Sequence, residues 1–136
     1  MKLKKIMIVS ANYYPGISSN MERDVKKYLR NIYNDFNNGS LILNVPGVFE
    51  IPVTIARNIQ KCDAFIALGC VIKGETPHFD FISKSSTDAL MNLSIQFKKP
   101  IGNGILTCLN KEQAEVRSKT KGKEATKALV SILSQS

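Results

Sequence analysis

One histidine, His78, stands in the segment Gly74-Glu75-Thr76-Pro77-His78-Phe79-Asp80. These residue types in this order describe the opening of a helix. Thr76 suits the N-cap, and Pro77 suits the first helical position, where its missing N–H costs nothing. Gly74 leaves room for a close backbone approach. A helix opening presents unpaired N–H groups and a positive dipole end, which together favour an anion such as phosphate. An imidazole in that first turn could move protons between a carbon acid and a leaving phosphate. A lone histidine is more often just a helix-start residue. The placement of His78 behind the most apolar stretch of the chain favours the chemical reading.

A second segment with chemical content is Pro46-Gly47-Val48-Phe49-Glu50-Ile51-Pro52. Phe49 is either an apolar wall for a ligand or a core residue. Glu50 is either an acceptor for hydroxyls or a first-turn acid favoured by the helix dipole. Composition leaves these readings even. Tyr13 and Tyr14 can stack on a planar ligand or simply pack their own loop. The three cysteines, Cys62, Cys70 and Cys108, form no Cys-x-x-Cys pair and are odd in number. With a single histidine, neither a disulfide framework nor a metal site is expected.

Apolar periodicity gives the elements that must hold these loops. Ile6-Met7-Ile8-Val9 reads as a strand buried on both faces. Met21, Val25, Tyr28, Leu29, Ile32 and Phe36 share one face of a helix expected over about Ser19 to Asn34, closed by a turn at Asn37-Asn38-Gly39. Leu41 to Val45 is a second strand, and Glu50-Ile51-Pro52 opens a helix to about Lys61. Ala64 to Val71 is the central strand. A long helix from about Pro77 to Phe97 turns Ile82, Ala89, Leu90, Leu93 and Phe97 inward. Ile101 to Leu106 is the fourth strand, and Lys111 to Ser134 is helical in two pieces broken around Thr120 to Gly122. The order βαβαβαβα(α) predicts a parallel sheet covered on both faces. Ligands in such sheets bind outside the carboxyl ends of the strands, here the loops Ala11–Ser18, Pro46–Phe49, Ile72–His78 and Thr107–Asn110.

The chain has 136 residues, and 43% of them are hydrophobic, which predicts one domain over 1–136. No apolar run reaches the roughly 18 residues of a membrane span. The basic-then-apolar start is too short for a signal peptide, so a cytoplasmic protein is expected. The net charge of +8 is spread as +5 over 1–61, −2 over 62–97 and +5 over 98–136. A basic surface attracts anions. These lysines are scattered, however, and no nucleic-acid module accompanies them, so no nucleic-acid partner is expected.

Pro46 to Pro52, together with Ala67-Leu68-Gly69-Cys70-Val71-Ile72-Lys73-Gly74-Glu75-Thr76-Pro77-His78-Phe79-Asp80, resembles the two signature segments of the 6,7-dimethyl-8-ribityllumazine synthase family. Gly102-Asn103-Gly104-Ile105-Leu106-Thr107 and Lys111 to Arg117 extend the resemblance more loosely, over almost the whole chain. It implies a flavodoxin-like three-layer sandwich with a four-stranded parallel sheet flanked by helices. It also implies condensation of 5-amino-6-(D-ribitylamino)uracil with 3,4-dihydroxy-2-butanone 4-phosphate, releasing phosphate and water, with no cofactor and no metal.

By the same resemblance, Tyr13 matches the aromatic residue stacked on the pyrimidine. Val48, Phe49 and Glu50 match the segment on that substrate, with Glu50 towards the ribityl chain. Cys70, Val71 and Ile72 match its backbone contacts. Glu75 and Thr76 match the phosphate-binding turn, His78 the proton-transfer residue, Arg117 the phosphate-binding arginine and Lys123 a nearby basic residue. The family's site lies between subunits of a homopentamer, so Asn103 and Arg117 would come from a neighbour. Riboflavin synthase is the implied protein partner.

The chain departs from the family in three places. Asn103 stands where Phe is usual, which weakens one wall of the pyrimidine pocket. Tyr14 replaces a common Asn. The loop between Lys121 and Glu124 is shorter than usual, which bears on assembly of pentamers into a sixty-subunit shell, so the pentamer is the firmer expectation. Two other readings stay open: a flavin- or nucleotide-binding module without catalysis, and a purely structural shell.

Overall fold

The computed structural model describes residues 4–33 and 40–135. The apolar runs form strands β1 (Ile6–Ala11), β2 (Ser40–Val45), β3 (Ala64–Ile72) and β4 (Ile101–Cys108). All pair in parallel, in the order β2-β1-β3-β4. On one face lie α1 (Pro15–Ile32), α4 (Lys111–Arg117) and α5 (Lys121–Leu133). On the other lie a 3-10 turn (Val48–Glu50), α2 (Ile51–Arg57) and α3 (His78–Phe97). Alternate strand residues feed two cores, as the period of two requires. Ile6, Ile8, Ile66 and Leu68 pack with Met21, Val25 and Leu29. Met7, Val9, Phe65 and Ala67 pack with Ile51, Ile55 and Leu90. The result is the expected flavodoxin-like three-layer α/β arrangement.

Some boundaries differ from expectation. The first helix begins at Pro15 rather than Ser19, because a proline at the first position gives up no intrahelical hydrogen bond. Tyr33, absent from the expected apolar face, is 2% exposed because it lies four residues beyond Leu29 and its N–H still donates to the Leu29 carbonyl at 2.8 Å. The second helix ends at Arg57 and continues only as turns towards Lys61. The strands β3 and β4 run on to Ile72 and Cys108, so the loops after them are shorter than expected. Phe36 and the turn at Asn37-Asn38-Gly39 lie outside the described residues, as does the expected helix end at Asn34.

Glycines set the closest packing. A Cβ on Gly122 would lie 2.5 Å from the Met21 carbonyl oxygen and 2.9 Å from Val25 Cγ2, so α5 crosses α1 almost backbone to backbone. Beside this crossing, Asp24 Oδ2 accepts the Lys123 N–H at 2.6 Å, so a carboxylate of α1 caps α5. Helix α3 ends on Lys98 in the left-handed region (φ 53, ψ 39), a position usually held by glycine. Lys98→Gly should therefore stabilise the fold by about 1 kcal/mol. A thermal midpoint raised by a few degrees at fixed protein concentration is the expected result, and an unchanged or lowered midpoint contradicts it.

Candidate active site

In the order β2-β1-β3-β4, the chain leaves β1 over one face of the sheet and enters β3 from the other. A crevice opens at the carboxyl ends of such a switch point. A cavity of about 740 Å³ lies there. The loop after β1 gives it Tyr13 and Tyr14, and the turn after β2 gives Val48, Phe49 and Glu50. The end of β3 gives Cys70, Val71 and Ile72, and the first turns of α3 give His78 and Ile82. Three of the four expected loops meet at this cavity, and Thr107–Asn110 contributes none of its lining.

The turn at Val48–Glu50 explains the placement of Phe49 and Glu50. Glu50 N–H donates to the Gly47 carbonyl at 3.1 Å, and Thr54 Oγ1 donates to the Glu50 carbonyl at 2.7 Å. Val48 is driven into the core over Gly69, where a Cβ would sit 2.7 Å from Val48 Cγ2. Burying Val48 turns the next side chain outward. Phe49 is 71% exposed and forms a wall of the cavity, not core. Glu50 is half-buried beside it, and its side chain makes no cap bond to α2.

The helix opening at His78 differs by one position from expectation. Pro77 is the N-cap residue, because its carbonyl already accepts the N–H groups of Asp80 at 3.1 Å and Phe81 at 3.2 Å. Thr76 stands one residue earlier, where its Oγ1 accepts the His78 N–H at 3.4 Å. The loop is moored to β4 by Lys73 N–H, which donates to the Cys108 carbonyl at 2.9 Å. His78 is exposed and lines the cavity. Glu75 and Thr76 are exposed in the turn just before it and do not line the cavity. A Cβ on Gly74 would meet nothing within 4 Å, which leaves open space beside this backbone. Ile82, expected only as core, also lines the cavity. It lies one helical turn beyond His78, so the i, i+4 spacing already put both on one face.

The Tyr13 and Tyr14 rings meet edge to face, with centroids 4.9 Å apart and an interplanar angle of 75°. Burial raises the Tyr14 hydroxyl pKa, with Cys70 and Tyr13 adding to the effect. Burial, followed by the neighbouring Cys108, pushes the Cys70 thiol up to about 12. The thiolate is the nucleophile, and an unperturbed cysteine ionises near 8.5. Iodoacetamide at pH 8.5 should therefore leave Cys70 unmodified in folded protein and label it in denatured protein. Rapid labelling of folded protein, read by peptide mass mapping, would contradict this.

Besides Glu75 and Thr76, three expected site residues do not line the cavity. Asn103 is exposed on β4, where its Oδ1 accepts the Ile105 N–H at 3.0 Å. Arg117 is exposed in the last turn of α4. Lys123 is exposed in the first turn of α5, at the crossing with α1.

The sequence model of one family, described as 6,7-dimethyl-8-ribityllumazine synthase, matches residues 3–136. Among similar proteins is 6,7-dimethyl-8-ribityllumazine synthase 1 of Rhodopseudomonas palustris, 37% identical over 140 residues, covering 95% of this chain and 83% of that protein. The 6,7-dimethyl-8-ribityllumazine synthase of Agrobacterium fabrum is 37% identical over 139 residues, covering 94% of this chain and 91% of the other. That of Sulfurospirillum multivorans is 37% identical over 134 residues, covering 96% and 85% respectively.

Proposed function

The chain belongs to the 6,7-dimethyl-8-ribityllumazine synthase family, and from that we propose that the cavity at the carboxyl ends of β1, β2 and β3 is its active site. The activity is a transferase step of riboflavin biosynthesis. It condenses 5-amino-6-(D-ribitylamino)uracil with 3,4-dihydroxy-2-butanone 4-phosphate and releases phosphate and water. The observation that supports the site reading is the convergence of Tyr13, Phe49, Glu50, the β3 end and His78 on one cavity.

In this reading Tyr13 and Phe49 enclose the pyrimidine ring, with Val48 holding the turn beneath. Glu50 accepts hydroxyl hydrogens of the ribityl chain, and the backbone of Cys70, Val71 and Ile72 meets the ring's polar edge. His78 relays protons, and the turn at Glu75 and Thr76 receives the phosphate. Asn103 and Arg117 complete the site from a neighbouring copy in a homopentamer, and Lys123 adds a basic group near the phosphate. Riboflavin synthase is the partner that takes the product. The enzyme works without cofactor or metal in the cytoplasm. No helix among the described residues is long and apolar enough to cross a membrane.

A guanidinium gives phosphate two charge-assisted hydrogen bonds. Arg117→Ala should therefore raise KM for the phosphate substrate at least tenfold and leave KM for the pyrimidine nearly unchanged. Unchanged saturation by the phosphate substrate removes Arg117 from the site. The reaction itself is tested by mixing protein with both substrates and following lumazine absorbance and free phosphate together, against an enzyme-free blank. Matched formation of both, well above the blank, is expected. Folded protein with no rate above the blank overturns the assignment and favours flavin binding without catalysis.

A further inference from the structure

We propose that Tyr14 is a positioning residue of this site: its ring contact holds the Tyr13 ring in one orientation, ready to stack on the pyrimidine. The inference rests on the stacking role given to Tyr13 above.

Tyr13 is 72% exposed. A ring with so little packing samples several rotamers, and a ligand that stacks on it must first fix one of them. Tyr14 is already fixed. Its carbonyl accepts the Ser18 N–H at 3.0 Å and the Ser18 hydroxyl at 3.1 Å. Pro15 restricts the backbone of the residue before it, and Tyr14 holds φ −115 and ψ 89 at the N-cap of α1. Its half-buried ring packs on the core cluster that contains Ile17, Cys70 and Ala114. The edge-to-face geometry with Tyr13 is the one aromatic quadrupoles favour.

The cavities give an independent reason. A second cavity of about 470 Å³ is lined by the same pair together with Asn20, Lys111 and Lys119. Both tyrosines line both cavities. Tyr13 thus borders two open volumes, and its contact with the Tyr14 ring is what favours one orientation between them.

The test measures steady-state constants for both substrates in Tyr13→Ala, Tyr14→Leu, Tyr14→Phe and the Tyr13→Ala/Tyr14→Leu double variant. Leucine keeps apolar bulk against the core and removes the aromatic ring, and Tyr14→Met replaces it should leucine prevent folding. The expected result is a pyrimidine KM raised about three- to tenfold in Tyr14→Leu. The phosphate-substrate KM should stay level, and Tyr14→Phe should restore the original constants. The double variant should be no worse than Tyr13→Ala alone, because Tyr14 acts through Tyr13. A Tyr14→Leu enzyme with the original pyrimidine KM, beside a Tyr13→Ala enzyme with a raised one, overturns the positioning role and leaves the stacking role standing. Additive effects in the double variant overturn it as well, since Tyr14 would then touch the substrate itself. So does failure of Tyr14→Phe to restore binding, which would assign the effect to the hydroxyl. A Tyr13→Ala enzyme with the original KM removes the stacking role and this inference together.

Discussion

Replacing His78 with alanine should lower kcat by roughly 10²–10⁴-fold and should not abolish turnover. The sequence of steps explains the size. The amine and the ketone form an imine with loss of water, a carbon-bound proton must leave as phosphate is eliminated, and ring closure expels a second water. Each step moves a proton, and His78 is the imidazole on the cavity wall. None of the steps needs a covalent enzyme intermediate. Most of the acceleration should come from holding two substrates in register, an effect commonly worth about 7–11 kcal/mol in well-oriented reactions. That part survives the substitution. The fold should survive too, because the hydrogen bond here is made by the backbone N–H to Thr76 Oγ1, which alanine retains. A fall in kcat of less than tenfold would remove His78 as the principal proton carrier. Complete loss of turnover from a folded variant would show that the imidazole positions substrate as well.

Gly122→Ala should be strongly destabilising. Its Cβ would be placed 2.5 Å from a backbone oxygen of α1, and backbone cannot rotate aside as a side chain can. The helices must separate, which disturbs the packing of Met21 and Val25 and lengthens the 2.6 Å bond from Lys123 N–H to Asp24. Overpacking of this kind costs about 1–3 kcal/mol or more. A thermal midpoint lower by several degrees is expected. Gly16→Ala is the control. It adds the same methyl group to a helix, where nothing lies within 4 Å, and should be neutral or slightly stabilising. Equal effects at the two positions would show that the crossing is not limited by Gly122.

Both halves of the sheet were legible because buried parallel strands leave continuous apolar runs. Ile6 to Val9 and Ala64 to Val71 could hardly be anything else. The turn at Val48–Glu50 was not legible. Whether Phe49 enters the core depends on Gly69, twenty residues away in sequence and in van der Waals contact with Val48, and periodicity carries no such information. The start of α1 is not legible, because Pro15-Gly16 reads as a turn although it opens the helix. His78, Tyr13 and the end of β3 could be placed in advance, since strand order alone sends them to one crevice. Asn103, Arg117 and Lys123 were assigned by resemblance only. Their absence from the lining of their own chain's cavity has no signature in local pattern, which describes neighbours in sequence.

The Asn103 side chain has a consequence for colloidal behaviour. Phe65 N–H donates to the Pro100 carbonyl, so the even-numbered residues of β4 face β3 and the N–H of Ile105 points to the open edge. An open edge invites a strand from another molecule, the usual first contact in β-aggregation. Asn103 Oδ1 already holds the Ile105 N–H, in the middle of that edge. The carboxamide works as a gatekeeper: before any subunits meet, it leaves a stray strand one hydrogen bond short in the register it would need.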